Sequence, residues 1–384
     1  MNRTCWRAVF LVVCLVLAPA PRGVALPPDD PVADDESEPG PFLIGADLSS
    51  VPRLLSLGAE YHVAGEAMDP LDIFTQHGFD LVRLRVWHTP PDPWDGLDAM
   101  LAYGAQARAA GHDLMLDLHY SGTWADPGTQ TKPSAWATLD FPTLVDSVYA
   151  YTNAVMLRSL EAGALPQYVQ VGNEISAGLL WDDGRVGWEG SEWDTPEQWS
   201  KLTDLLAAGI AAIRDSLDPL DQPKVVIHVD NGANNTLCRW FFDHLRDAAV
   251  DYDVIGVSFY PWWHGTLEGL GVNLRDLAAR YGKEIIVVET SYPWTLDDYD
   301  GTPNFVSGPG QLLPGYPATP GGQLDFLRDI EAVVQSVPDG LGSGLIYWEP
   351  AFLAVPGGPP DPCENQTLFD FGGAALPALG FPFP

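Results

Sequence analysis

Strand-length apolar runs recur along this chain, each separated from the next by a stretch of helical character, and that alternation limits the fold more than any other feature. The runs are Phe42–Ala46, Leu81–Val86, Asp113–Leu118, Tyr168–Gly172, Lys224–Val229, Val254–Ser258, Ile285–Val288 and Gly344–Tyr347. Between them lie amphipathic segments such as Leu97–Ala110, Phe141–Glu161, Pro196–Ser216 and Gln323–Val334. Short apolar runs alternating with amphipathic helices are the pattern of a parallel βα sheet. Eight such units predict an α/β fold closed as a (β/α)8 barrel of the TIM type. A doubly wound open sheet would carry a glycine-rich phosphate turn after its first strand, and none is present. The last helix of the barrel reads as short, Ala374–Leu379 followed by Gly-Phe-Pro-Phe-Pro.

The barrel accounts for residues 41–384 as one domain. Residues 1–25 ahead of it read as an export signal. Arg3 and Arg7 form the basic end, Val9 to Leu17 the apolar segment, and Ala18-Pro19-Ala20 or Val24-Ala25 the cleavage site. The apolar run is too short to span a bilayer comfortably, so the mature chain is expected to be secreted or periplasmic. Residues 26–40, rich in Pro, Asp and Glu, read as a disordered linker. Nineteen basic against 52 acidic residues give a net charge of −33, which argues against nucleic acid and anionic membrane as partners. A neutral substrate and a monomeric chain fit this balance. Cys238 and Cys363 follow the signal into an oxidising compartment, where they are either paired or free and buried.

The residues just past each strand carry the functional information. Arg85-Val86-Trp87-His88 closes the second run; His119-Tyr120-Ser121-Gly122-Thr123-Trp124-Ala125-Asp126-Pro127 comes after the third; Asn173-Glu174 comes after the fourth. Asp230-Asn231, Phe259-Tyr260-Pro261-Trp262-Trp263-His264, Glu289-Thr290-Ser291-Tyr292-Pro293-Trp294 and Trp348-Glu349-Pro350 come after the fifth to eighth. Polar groups and indoles therefore gather at the carboxyl rim, where barrel enzymes build their sites.

Two carboxylic acids on strands four and seven, nearly opposite across an eight-membered ring, suit glycosidic bond cleavage. Glu174 is expected to be the proton donor, kept protonated by an apolar wall that includes Trp181. Glu289 is expected to be the nucleophile, held by Tyr260 and kept ionised by Arg83 or Arg85. Asn173 is expected to contact a sugar 2-hydroxyl, which requires the strand to break so that neighbours Asn173 and Glu174 both face the pocket. Trp87, Trp124, Trp181, Trp263, Trp294 and Trp348 read either as core or as a row of sugar-stacking indoles, and six at one rim favour the row. His88, His119 and His264 lack an HxH or HExxH spacing, which favours hydrogen bonding over zinc. Asp230 completes the expected sugar-binding set, and no cofactor is needed for the chemistry.

Those residues resemble a known family. Gly45-Ala46-Asp47-Leu48-Ser49, Val82-Arg83-Leu84-Arg85-Val86-Trp87, Leu116-Asp117-Leu118-His119-Tyr120-Ser121, Val169-Gln170-Val171-Gly172-Asn173-Glu174, Ser258-Phe259-Tyr260-Pro261 and Tyr347-Trp348-Glu349-Pro350 look like glycoside hydrolase family 53, the arabinogalactan endo-β-1,4-galactanases. The likeness runs over about residues 42 to 372, in order. It implies a retaining enzyme acting on a neutral polysaccharide, with Glu174 as acid/base and Glu289 as nucleophile. Other retaining barrels, a mannanase or β-1,4-glucanase, and a carbohydrate-binding barrel without turnover are the alternatives. Some members bind calcium after the seventh strand. Here Asp297, Asp298, Asp300 and Asn304 offer hard oxygen ligands, or else form an exposed acidic loop.

Overall fold

The computed structural model describes residues 41–382. The export signal and linker expected over 1–25 and 26–40 lie outside the described residues. Eight parallel strands close on themselves: β1 (Leu43–Asp47), β2 (Leu81–Val86), β3 (Asp113–Leu118), β4 (Tyr168–Val171), β5 (Lys224–Val229), β6 (Val254–Phe259), β7 (Glu284–Thr290) and β8 (Gly342–Tyr347). β1 pairs with both β2 and β8, so the sheet has no open edge. The (β/α)8 barrel expected from the alternation of runs is the fold, with strand ends displaced by one or two residues.

The outer layer comprises α1 (Val51–Ser56), α2 (Pro70–Gln76), α3 (Leu97–Ala109), α4 (Phe141–Ala162), α5 (Pro196–Ser216), α6 (Asn235–Asp247), α7 (Leu267–Tyr281) and α8 (Pro320–Gln335). The longer helices begin where the sequence supplies a cap. Asp140, Thr195 and Thr319 accept the backbone N–H of Thr143, Gln198 and Gly322, and each is followed by a proline in the first turn. α4 stops at Gly163, whose φ of 69° is the left-handed conformation that suits glycine.

Strand side chains alternate between two environments. Val82, Leu84, Val169, Val171, Val225, Ile227, Leu345 and Tyr347 join the large core beneath the helices. The intervening positions Leu81, Met115, Tyr168, Val226, Val254, Ile286, Val288 and Ile346 form a separate apolar cluster inside the barrel. The period of two decides which side chains reach the axis, and therefore which can serve a site above it.

No regular helix comes after β8 among the described residues; the short one expected over Ala374–Leu379 is a single 3-10 turn, Pro377–Gly380. Closure does not depend on it. The segment leading to that turn is tied to the loop before α2, through His62 N to Gly373 O and Ala375 N to His62 O, both 2.8 Å. Phe369 and Phe381 pack edge-on against Tyr61, Phe74 and Phe79 and fill the eighth position. Among the described residues no helix is long and apolar enough to cross a membrane.

Candidate active site

The chain turns sharply where the strands end. Thr89, Tyr120, Glu174, Asn231 and Glu349, at the ends of β2, β3, β4, β5 and β8, all have φ between 47° and 58°. A side chain in this region costs about 1–3 kcal/mol, a strain that collects at functional sites. At β4 the pleat stops at Val171, and Gly172 takes φ 84°, followed by Glu174 at 47°. Both Asn173 and Glu174 thereby face one cavity of about 720 Å³. A β-carbon on Gly172 would meet Ile175 at 2.7 Å, so glycine is required there on two counts.

β7 uses a different device. Val257 pairs with Val287 but Ser258 pairs with Glu289, so one extra residue bulges out of register at Val288. Ile286 and Val288 both line the barrel interior, and strict alternation would then send Glu289 outward. The bulge re-aims its carboxylate into the cavity.

The two carboxyl groups have unlike surroundings. Glu289 Oε1 accepts from Arg83 Nη2 at 2.9 Å and Oε2 from the Tyr260 hydroxyl at 3.0 Å. Arg83, fully buried, also donates to Asp47 at 2.7 Å, Asp117 at 2.9 Å and Asn173 Oδ1 at 3.1 Å. Burial pushes the Glu289 carboxyl up to about 7, against the downward pull of Arg83 and the Tyr260 hydrogen bond. Among the described residues Glu174 forms no ion pair with a cation. Its Oε1 is bonded by Ser258 Oγ at 2.6 Å, and Ser258 Oγ in turn lies 2.8 Å from His228 Nε2. Burial and then the Glu289 charge push Glu174 well above the usual carboxylate range, with Ser258 acting weakly the other way. At intermediate pH one group is a carboxylic acid and the other a carboxylate, the division of roles that acid–nucleophile pairs require.

Of the other expected residues, Arg85, Trp87, His119, Trp124, Asn173, Asp230, Tyr260, Trp263, His264 and Trp348 all line this cavity. Asn173 Nδ2 donates to Ala125 O at 2.9 Å, and His119 Nε2 lies 2.9 Å from Asp117. Asp230 is joined to Ser176 and Asn231. His264 Nδ1 is engaged by Tyr260 N at 3.0 Å, and His88 packs on Trp136 and Tyr151. Arg83, not Arg85, is the partner of Glu289.

Two indoles are not where the sequence put them. Trp181, on the short hairpin Gly178–Leu179/Gly184–Arg185, is half-buried and does not line the cavity. Its Nε1 donates to Ala177 O at 2.8 Å and Arg185 stacks 4.3 Å from its ring. Burial and Glu289 set the acid's environment instead. Trp294 also lies off the cavity, its ring 4.8 Å from Phe371 and its backbone N–H bonded to Asn365 O. The cavity also recruits Glu349 from the rim after the eighth strand, and Trp94, Phe305 and Ser50, which the pattern of rim residues does not single out. Ser258 and His228 are equally hidden, although both stand at inward positions of strands where a polar residue is unexpected. Among the described residues Cys238 and Cys363 are free and buried rather than paired.

The expected calcium ligands divide. Oxygens of Asp298, Asp300 and Glu364 lie within 4.8 Å of one another. Glu364 comes from a segment after β8, far along the chain from the two aspartates. Asn304 Nδ2 instead donates to the carbonyl of Asp297, and its own Oδ1 is buried without a partner among the described residues. The three carboxylates, with Glu364 Oε2 unpartnered among the described residues, fit a hard divalent cation.

Residues 43–381, the whole barrel, match the model of glycosyl hydrolase family 53. The chain belongs to that family. It is a glycoside hydrolase. An arabinogalactan endo-β-1,4-galactanase of Cellvibrio japonicus is 36% identical over 351 residues, covering 89% of this chain and 90% of that protein. An endo-β-1,4-galactanase of Bacillus subtilis is 33% identical, covering 88% of this chain and 84% of that one. Among solved structures, the family 53 catalytic domain of Ignisphaera aggregans superposes with a TM-score of 0.83 at 38% identity, over 88% of this chain and 95% of the other. Glycoside hydrolases of this family typically need no cofactor.

Proposed function

We propose that this chain is a secreted endo-β-1,4-galactanase that hydrolyses (arabino)galactan with retention of configuration. The observation that carries the reading is the asymmetry of the carboxyl pair: Glu289 is bonded to buried Arg83 and Tyr260, whereas among the described residues the Glu174 carboxyl is bonded only to a hydroxyl. Glu289 attacks the anomeric carbon while Glu174 donates its proton to the departing glycosidic oxygen. A covalent galactosyl-enzyme forms, and Glu174, now a base, takes a proton from water as the ester is cleaved. Arg83 and Tyr260 keep the attacking carboxylate ionised and aligned. Trp348, Trp124 and Trp263, all lining the cavity of about 720 Å³, supply flat apolar faces for the pyranose rings of a chain.

The names of the full-length relatives support galactan as substrate, and the basic-then-apolar first 25 residues support export. When bound, a calcium ion held by Asp298, Asp300 and Glu364 would cross-link the loop after β7 to the segment after β8 and take no part in bond cleavage. The excess of acidic residues supports a monomer acting on a neutral polymer. The deciding experiment is reducing-sugar release from galactan, mannan and carboxymethylcellulose in parallel. Release from galactan is expected. Faster release from either other polymer, or binding to galactan without turnover, overturns the reading.

A further inference from the structure

One buried carboxyl in the cavity has no part in that scheme. Glu349 lies just past β8 with φ at 48° and is almost fully buried. Its Oε1 accepts from Ser50 Oγ at 2.7 Å and from Arg85 Nη1 at 3.4 Å, while Oε2 is buried without a partner among the described residues. Arg85 is held at its other end by Asp95, Nη2 to Oδ1 3.0 Å. Its guanidinium lies 4.1 Å from the ring of Trp124 and 5.0 Å from that of Trp87. Those indoles stand 5.2 Å apart at 78°, so the cation fills the corner between them.

The rings order themselves outward from the reacting carbon. Tyr260, bonded to Glu289, is 6.3 Å from Trp348, and Trp348 is 6.4 Å from Trp124. Trp124 is 43% exposed. With Glu174 protonating the leaving oxygen from β4, the non-departing sugars extend toward β8, β1 and β2. Trp124 is then the platform beyond the ring that stacks on Trp348.

We infer that Glu349 is a positioning residue: by holding Arg85 in the corner of Trp87 and Trp124, it fixes the second indole platform for the sugars on the non-departing side. It rests on the galactanase reading. Burial and then the neighbouring Asp47 raise the Glu349 carboxyl to about 8, so below that pH it serves as a neutral acceptor. A glutamine, with the same Oε1, reproduces both of its bonds.

The test is steady-state kinetics on galactan and on an aryl β-galactoside, which occupies only the first site. Glu349→Ala should raise KM for galactan roughly three- to thirtyfold, the range of a cation–π contact, with kcat within about twofold. Aryl-galactoside kinetics should stay near wild type, and Glu349→Gln should restore the galactan KM. On a Trp124→Ala background Glu349→Ala should add almost nothing, because both act on one platform. Arg85→Lys, which keeps the charge but loses the flat face, should reproduce the KM rise and serves if Glu349→Ala does not fold. Equal losses on both substrates, full additivity with Trp124→Ala, or a glutamine as poor as alanine would overturn the inference. If wild type itself released nothing from galactan, the substrate reading would fail instead.

Discussion

The two ends of the barrel interior are built from the same alternating positions and do opposite things. The lower layer is Leu81, Met115, Tyr168, Val226, Val254, Ile286 and Ile346, apolar and buried in one cluster. The same strands, two or four residues further on, place Arg83, Asp117, Gln170, His228 and Ser258 on the axis, all buried and all hydrogen-bonded. Burying apolar surface below contributes stability, about 1.5–3 kcal/mol for a fully buried large side chain. Burying carboxyl groups above works against stability unless cations and donors compensate. What differs is not the backbone but which groups the period of two delivers at each level.

Substitutions should separate the two ends. The largest effect on turnover belongs to Glu289→Ala, with a loss on the order of 10⁴-fold or more on every glycoside and little loss of fold. Ile286→Ala, one layer below on the same strand, should lower stability by about 2–5 kcal/mol in chemical denaturation while kcat of the folded fraction stays near wild type. If Ile286→Ala cut kcat as deeply as Glu289→Ala, the division between the ends would be wrong.

Smaller effects test what the upper layer costs. A carboxyl raised from 4.5 in the open chain to about 7 in the fold binds more protons when native. Stability from Glu289 is therefore present at acid pH and is lost as pH rises from about 4.5 through about 7. Glu289→Gln should raise the melting temperature at pH 8 and leave it unchanged near pH 4; equal shifts at both would contradict this. Smallest is Tyr260→Phe. It removes a hydrogen bond that lowers the Glu289 pKa, so the acid limb of kcat/KM should move to higher pH and the alkaline limb should stay. A shift of the alkaline limb alone would assign Tyr260 to the other carboxyl.

Much of this is legible in the sequence. The alternation of runs locates all eight strands, and polar residues after each run locate the rim, including both carboxyls. The features that escape depend on contacts between distant segments. His228 reads as strand interior, and only Ser258 and Asn173 from neighbouring strands explain it. The bulge at Val288 leaves no local mark, yet it aims Glu289. Trp181 and Trp294 satisfy the pattern of rim aromatics, but neither lines the cavity; their rings are engaged by Arg185 and Phe371. Glu364 joins Asp298 and Asp300 only through space.

The central claim is that Glu174 is the acid/base and Glu289 the nucleophile of a double displacement, and azide capture with an aryl β-galactoside tests it most directly. Glu174→Ala keeps the nucleophile, so azide should intercept the galactosyl-enzyme and yield the β-galactosyl azide, while galactan cleavage falls roughly 10²–10⁴-fold. Glu289→Ala has no covalent intermediate, so azide should attack directly and yield the α-azide. The two anomers are distinguished by proton NMR. An α-azide from Glu174→Ala and a β-azide from Glu289→Ala would contradict the account.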